Sequence, residues 1–131
     1  MASFSKFNGP PRRRWALWIV LLAVWTTLLV LPMPRQEDWP VKVTRDVKFY
    51  IGKSVHLVGY GVLTVLAGWL QPRFRWRLLL LFFLMAHAGA TEWAQKYVPS
   101  RTGTVPDVVL NHAGVLLGLI VSWKWWSKES G

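Results

Sequence analysis

Residues 15–31 read WALWIVLLAVWTTLLVL, seventeen positions without a charge, set between Arg12, Arg13 and Arg14 on one side and Pro32 and Pro34 on the other. As a helix rising 1.5 Å per residue the run reaches about 26 Å, close to the thickness of a hydrocarbon core. Proline lacks an amide hydrogen and clashes with the preceding turn, so the pair predicts the helix end. A signal peptide shares the basic start, but this run is long, carries Trp18 and Trp25, and has no small-x-small cleavage pattern before the prolines. The expectation is a retained helix.

Working outward, three more apolar runs follow, at about 49–70, 76–97 and 106–126, broken at Gln71–Pro72, at Pro99 and by short basic or mixed-charge loops. Pro106 suits a first helical turn. Together with 15–31 they predict an all-α integral membrane bundle of four transmembrane helices, one domain over residues 1–131. Composition agrees. The 131 residues are 53% apolar and include ten Trp, more hydrophobic surface than one small soluble core can bury. Cysteine is absent, which excludes disulfides, thiolate metal sites and cysteine nucleophiles. The net charge of +10 sits at the ends of apolar runs, so no nucleic-acid partner is expected.

The distribution of Lys and Arg sets the expected orientation. With the N terminus inside, the cytoplasmic side holds Lys6, Arg12, Arg13, Arg14, Arg73, Arg75, Arg77, Lys124 and Lys128. The other side holds Arg35, Lys42, Arg45, Lys48, Lys53, Lys96 and Arg101, partly offset by Glu37, Asp38 and Asp46. Trp15, Trp18, Trp69, Trp76, Trp123, Trp125 and Trp126 fall at the same proposed inner ends, where an indole suits the head-group level. Both termini are therefore expected in the cytoplasm, in a multi-pass membrane protein whose immediate partners are lipids.

This topology collects the unusual polar residues at the outer end. Lys53, His56 and Tyr60 share one sector of the second helix, Glu92 and Gln95 one face of the third, and Asp107, Asn111, Gly114 and Gly118 one face of the fourth. Lipid cannot hydrogen-bond such groups, so the stripes should turn inward. Each residue has a plain reading beside a functional one. Lys53 and Arg101 fit snorkelling cations as well as ligand contacts, and His56 fits an inter-helix hydrogen bond as well as a ligand. Gly114 and Gly118 have the small-xxx-small spacing of a close helix contact, and His87 and His112 are read as packing polarity. Glu92 and Asp107 require partners, for which Lys53, His56 and Arg101 stand ready, in a structural or a catalytic cluster. Trp25 and Thr27, in the first run, are expected to tolerate Trp25→Phe and Thr27→Ser.

The joint pattern Lys53-x2-His56-x3-Tyr60, Glu92-x2-Gln95, Arg101-x5-Asp107-x3-Asn111-x2-Gly114-x3-Gly118 resembles the VanZ-like family of small bacterial membrane proteins over about Lys48 to Leu119. Members often carry an acid directly before the lysine and another three after the arginine, where this chain has Gly52 and Thr104. The resemblance implies a multi-helix, multi-pass protein of the bacterial inner membrane and cell envelope, related to one associated with teicoplanin resistance, without an established reaction. The residues lead to two expectations. One is an outer pocket binding an anionic or amphiphilic envelope molecule, such as a lipid head group or a glycopeptide, through Lys53 and Arg101, with Gln95, Asn111 and Tyr60 orienting it. The other is an intramembrane enzyme using His56 with Glu92 or Asp107 as acid and base on a lipid-linked precursor. No HExxH or tight ligand spacing supports a metal, and no cofactor is expected.

Overall fold

The computed structural model describes residues 12–33, 36–70, 72–101 and 103–128; Lys6, Pro34, Arg35 and Gln71, used above as charges or boundaries, lie outside them. The described chain is all helical. Four main helices, α1 (Arg12–Val30), α2 (Arg45–Trp69), α3 (Phe74–Gln95) and α4 (Val105–Val121), are followed by a single turn, α5 (Trp123–Trp126).

Helix starts follow capping chemistry more closely than hydropathy. α2 begins at Arg45, four residues before its apolar run, because the Thr44 side chain accepts from the Val47 amide and Asp46 lies in the positive first turn. α4 opens the same way: the Thr104 hydroxyl accepts from the Asp107 amide and Pro106 occupies the first turn.

The fourth apolar run, expected to continue to about Trp126, is broken at Ser122. There the hydroxyl donates to the Gly118 carbonyl at 2.5 Å and accepts from Trp126 Nε1 at 3.1 Å, which turns α5 and its indole back onto the bundle. Arg77, expected as an interface cation, is buried. Its guanidinium donates to the carbonyls of Pro72, Trp126 and Lys128 and so closes the end of α5. Trp18 and Trp126 likewise leave the expected indole belt. Both are buried, and Trp18 Nε1 donates to the Leu63 carbonyl at 3.0 Å, since a polar N–H turned inward needs a partner.

α1 and α2 are long and apolar enough to cross a membrane, and α4 is a shorter apolar helix. Only 11% and 17% of the apolar windows of α1 and α2 are buried, so neither is the core helix of a soluble protein. The surface they present, with Val20, Val24, Leu28, Val58 and Val62 exposed, suits a hydrocarbon environment.

α2 and α4 form the tightest seam. A Cβ at Gly114 would strike the Leu57 carbonyl, and one at Gly118 would lie 2.5 Å from the Gly61 carbonyl and 2.8 Å from Thr64 Cβ. Backbones approach this closely only where side chains are missing. α1 attaches differently, by hydrogen bonds near its two ends. Arg14 donates to the Trp69 carbonyl and Trp18 to that of Leu63 near its start. Near its end Thr26 meets His87, while Gln95 and Arg101 donate to carbonyls of the last turn, groups that a helix terminus leaves without intrahelical partners.

The seam yields a paired prediction. Gly118→Val overpacks it and is expected to destabilise by about 1–3 kcal/mol. Gly89→Ala, in α3 with nothing within 4 Å of the added methyl, is expected to stabilise by about 0.5–1 kcal/mol. Thermal unfolding of both variants in detergent checks the pair.

Candidate functional site

The end of α1, the start of α2, the end of α3, the loop 96–104 and the start of α4 meet at one end of the bundle. Two carboxylates are buried there, and each is held differently. Asp107 pairs with Lys53 from α2 and accepts from the Thr104 hydroxyl at 2.7 Å. Its partner Lys53 also lies 5.2 Å over the Phe49 ring. Glu92, 2% exposed, accepts at Oε1 from Asn111 Nδ2 at 3.2 Å and lies 3.3 Å from His56 Nδ1. Glu92 Oε2 makes no hydrogen bond among the described residues.

The chemistry of Asn111 fixes the histidine. Its amide nitrogen donates to the carboxylate, so its oxygen faces His56 Nδ1 at 3.0 Å, and an amide oxygen can only accept. His56 Nδ1 therefore carries a proton. In the neutral ring Nε2 then holds the lone pair.

In front of this cluster lies a cleft of about 440 Å³. Its lining includes Arg45, Lys48, Lys53 and Arg101 against the single carboxylate of Asp107, with His56 and Gln95 among the other wall residues. Gly52 and Thr104, the positions where the resemblance leads one to expect acids, line the cleft without adding negative charge.

The eight expected site residues separate into three groups. Lys53 and Asp107 form one pair and His56, Asn111 and Glu92 a neighbouring hydrogen-bonded group, and together these five make the cluster. Gln95 and Arg101 line the cleft but spend their hydrogen bonds on α1: Gln95 Nε2 on the Leu29 carbonyl at 2.9 Å, Arg101 on those of Leu28 and Leu31 at 2.7 and 3.0 Å. Burial pulls the Arg101 guanidinium below its usual pKa, and the nearby Glu92 charge opposes that shift. Tyr60, fully buried, turns away from the cleft to His87 and Thr91 at 3.0 and 2.9 Å. Because Thr26 donates to the Leu22 carbonyl, it accepts from His87 Nε2 at 2.8 Å, leaving Nδ1 to accept from the tyrosine. His87 thus bridges α1 and α2. His112 Nε2 lies 3.0 Å from the Met85 carbonyl, outside the cluster. Among the described residues no group of three metal-ligating side chains is present.

Reading the sequence missed three features of the site. Arg45 and Lys48 were assigned to the loop before the second helix, although Thr44 followed by Asp46 is a legible helix start. Thr104 directly before the Val105–Pro106 helix start was a legible N-cap. Trp25, expected to lie outside the site, has its ring centroid 6.4 Å from that of His56 and 5.8 Å from that of Tyr60. Hydropathy alone carried no signal for that contact.

The spacing that gathers these residues is one that a known family shares: the sequence pattern of VanZ/LLP1 matches residues 15–126. The chain belongs to the VanZ/LLP1 family. That match includes all of the cluster and, at its start, nearly all of α1, which the shorter motif resemblance left out. No curated protein and no solved structure shows a significant similarity to the chain.

The Lys53–Asp107 pair gives a test of the local energetics. The side chains are 25% and 12% exposed, so Lys53→Met should cost about 1–3 kcal/mol, below the range for a fully buried pair. Adding Asp107→Leu should recover most of that loss, because the stranded carboxylate is then removed. A double-mutant cycle by thermal unfolding measures both.

Proposed function

We propose that this VanZ/LLP1 member is a four-span protein of the bacterial inner membrane, with both termini in the cytoplasm and the cleft at the outer face. There the cleft binds the anionic head group of an amphiphilic or lipid-linked envelope molecule. The carrying observation is the charge of the lining: Lys53 is matched by Asp107, which leaves the charges of Arg45, Lys48 and Arg101 without a carboxylate to match them in the lining. Guanidinium and ammonium groups around a partly desolvated cleft select phosphate or carboxylate by charge-assisted hydrogen bonds. α3 and α4 complete the bundle, each pressing a polar face inward and leaving Leu78, Phe82, Leu116 and Ile120 outside. A glycopeptide antibiotic such as teicoplanin is the alternative occupant, and binding measurements discriminate it from a lipid.

A second reading is supported by His56. With Nδ1 directed to Asn111 and Glu92, Nε2 is the nitrogen left for the cleft, which is the arrangement of a general base oriented by a carboxylate. On this reading the bound head group is cleaved with water as the nucleophile.

Two measurements test the proposal. Reporter fusions after Lys128 and within 37–46 should report cytoplasmic and extracytoplasmic positions respectively; an outer C terminus would place the cleft in the cytoplasm and overturn the envelope reading. In nanodiscs, Arg45→Gln with Lys48→Gln should weaken binding of an alkyl phosphate by roughly tenfold or more, about 1.4 kcal/mol for each tenfold step. Unchanged affinity would refute the head-group site. In the same preparations, release of inorganic phosphate that disappears in His56→Ala while binding persists would favour the enzymatic reading.

A further inference from the structure

α1 leans toward α3 at the outer end and toward α2 at the inner end. Its outer hydrogen bonds go to His87, Gln95 and Arg101, and its inner ones to the carbonyls of Leu63 and Trp69. The seam between α1 and α2 is therefore open on either side of the point where the Trp25 ring rests on Gly59. It holds two adjoining hollows of about 480 and 170 Å³, which share Trp25 and Gly59. The upper one runs beside Tyr50, Ile51 and Val55, at the same height on α2 as the cleft residues Phe49, Gly52, Lys53 and His56. The lower one continues beside Val24 and Val62 to Leu66. From residue 50 to residue 66 the seam follows α2 for about 24 Å.

Two contacts join this groove to the cleft. Trp25 lines both hollows and its indole meets the His56 ring edge to face, with centroids 6.4 Å apart. Leu28 lines the lower hollow, while its carbonyl accepts from Arg101 of the cleft wall. Gly59 shapes the groove, since any Cβ there would strike the Trp25 ring. Apolar walls directly beside a cationic cleft match an amphiphile rather than a soluble anion.

We propose that the groove between α1 and α2 holds the hydrocarbon chain of the same molecule whose anionic head group occupies the cleft, so that the ligand is a long-chain lipid bound lengthwise. This rests on the head-group reading. Bilayer lipid is as apolar as the groove, so the groove selects the position and length of the chain and contributes little affinity by burial alone.

The probe is dodecyl phosphate carrying a mid-chain diazirine, cross-linked to the full-length protein in nanodiscs and mapped by mass spectrometry, with inorganic phosphate as the head-group competitor. Cross-links are expected to concentrate on Leu28, Val55, Val58 and Val62, the groove residues at the depth of the mid-chain carbon, and to fall at least fivefold when excess inorganic phosphate is added. Gly59→Leu, which pushes Trp25 into the groove, should lower them by a similar factor. Val62→Trp fills the groove from its wall and should do the same, should Gly59→Leu fail to fold. Both variants are judged at equal occupancy of inorganic phosphate. Phosphate-sensitive binding with cross-links scattered over all lipid-facing helices would overturn the groove while leaving the head-group site standing. Cross-links in the groove that ignore phosphate would overturn the claim that one molecule fills both. Absence of phosphate-sensitive binding altogether would remove the head-group reading and this inference together.

Discussion

Two carboxylates buried among apolar helices impose the main constraint on this molecule. A charge removed from water must be matched by counter-charge or donors, and the end of the bundle where α2 and α4 begin is arranged to supply them. Asp107 takes a lysine from α2 and a hydroxyl from its own capping turn. Glu92 takes the amide of Asn111 and the imidazole of His56. Since the carboxylates come from α3 and α4 while the lysine and histidine come from α2, satisfying them fixes three helices at one height. The Thr104 cap belongs to the same solution, because it starts α4 where Asp107 can reach Lys53.

Two modes of helix association coexist. α2 and α4 meet backbone to backbone across Gly61, Gly114 and Gly118, where the absence of side chains makes contact close and unforgiving. α1 is held by its own Arg14 and Trp18 donating to α2 carbonyls near its start and by Gln95 and Arg101 donating to its last carbonyls, with indole and imidazole rings between. The first mode gives a rigid seam behind the cluster. The second leaves space, and that difference places an apolar groove on one side of α2 and a polar cleft on the other.

Much of this was legible in the sequence where periodicity along one helix carried it. The helical class, the approximate runs and the gathering of Lys53, His56, Glu92, Asp107 and Asn111 all follow from spacing and from the reluctance of lipid to solvate polar groups. Residues whose partners are backbone atoms of a distant helix were beyond reach. Gln95 and Arg101 look like ligand contacts in sequence because nothing local shows that the Leu28, Leu29 and Leu31 carbonyls come to them. Tyr60 shares a helical sector with His56, yet at one turn deeper it meets His87 and Thr91 instead. Trp18 and Arg77 sat where interface residues sit, and only the positions of Leu63 and of the α5 carbonyls turn them inward. Ser122 hid its break inside an unbroken apolar run.

The fastening of α1 also bears on how the protein is made. Gln95 follows Leu29 by 66 positions, which corresponds to roughly 3–13 s of translation at about 5–20 residues per second. Arg101 is made later still. During that interval the first helix emerges from the ribosome with its last carbonyls lacking the groups that eventually close them. α1 can meet α2 through Trp18 and Arg14 as soon as α2 is made, but the closing of its last turn is a late event in biogenesis, completed by the end of α3 and the residues after it, and those carbonyls must be sheltered by lipid or by the insertion machinery until then.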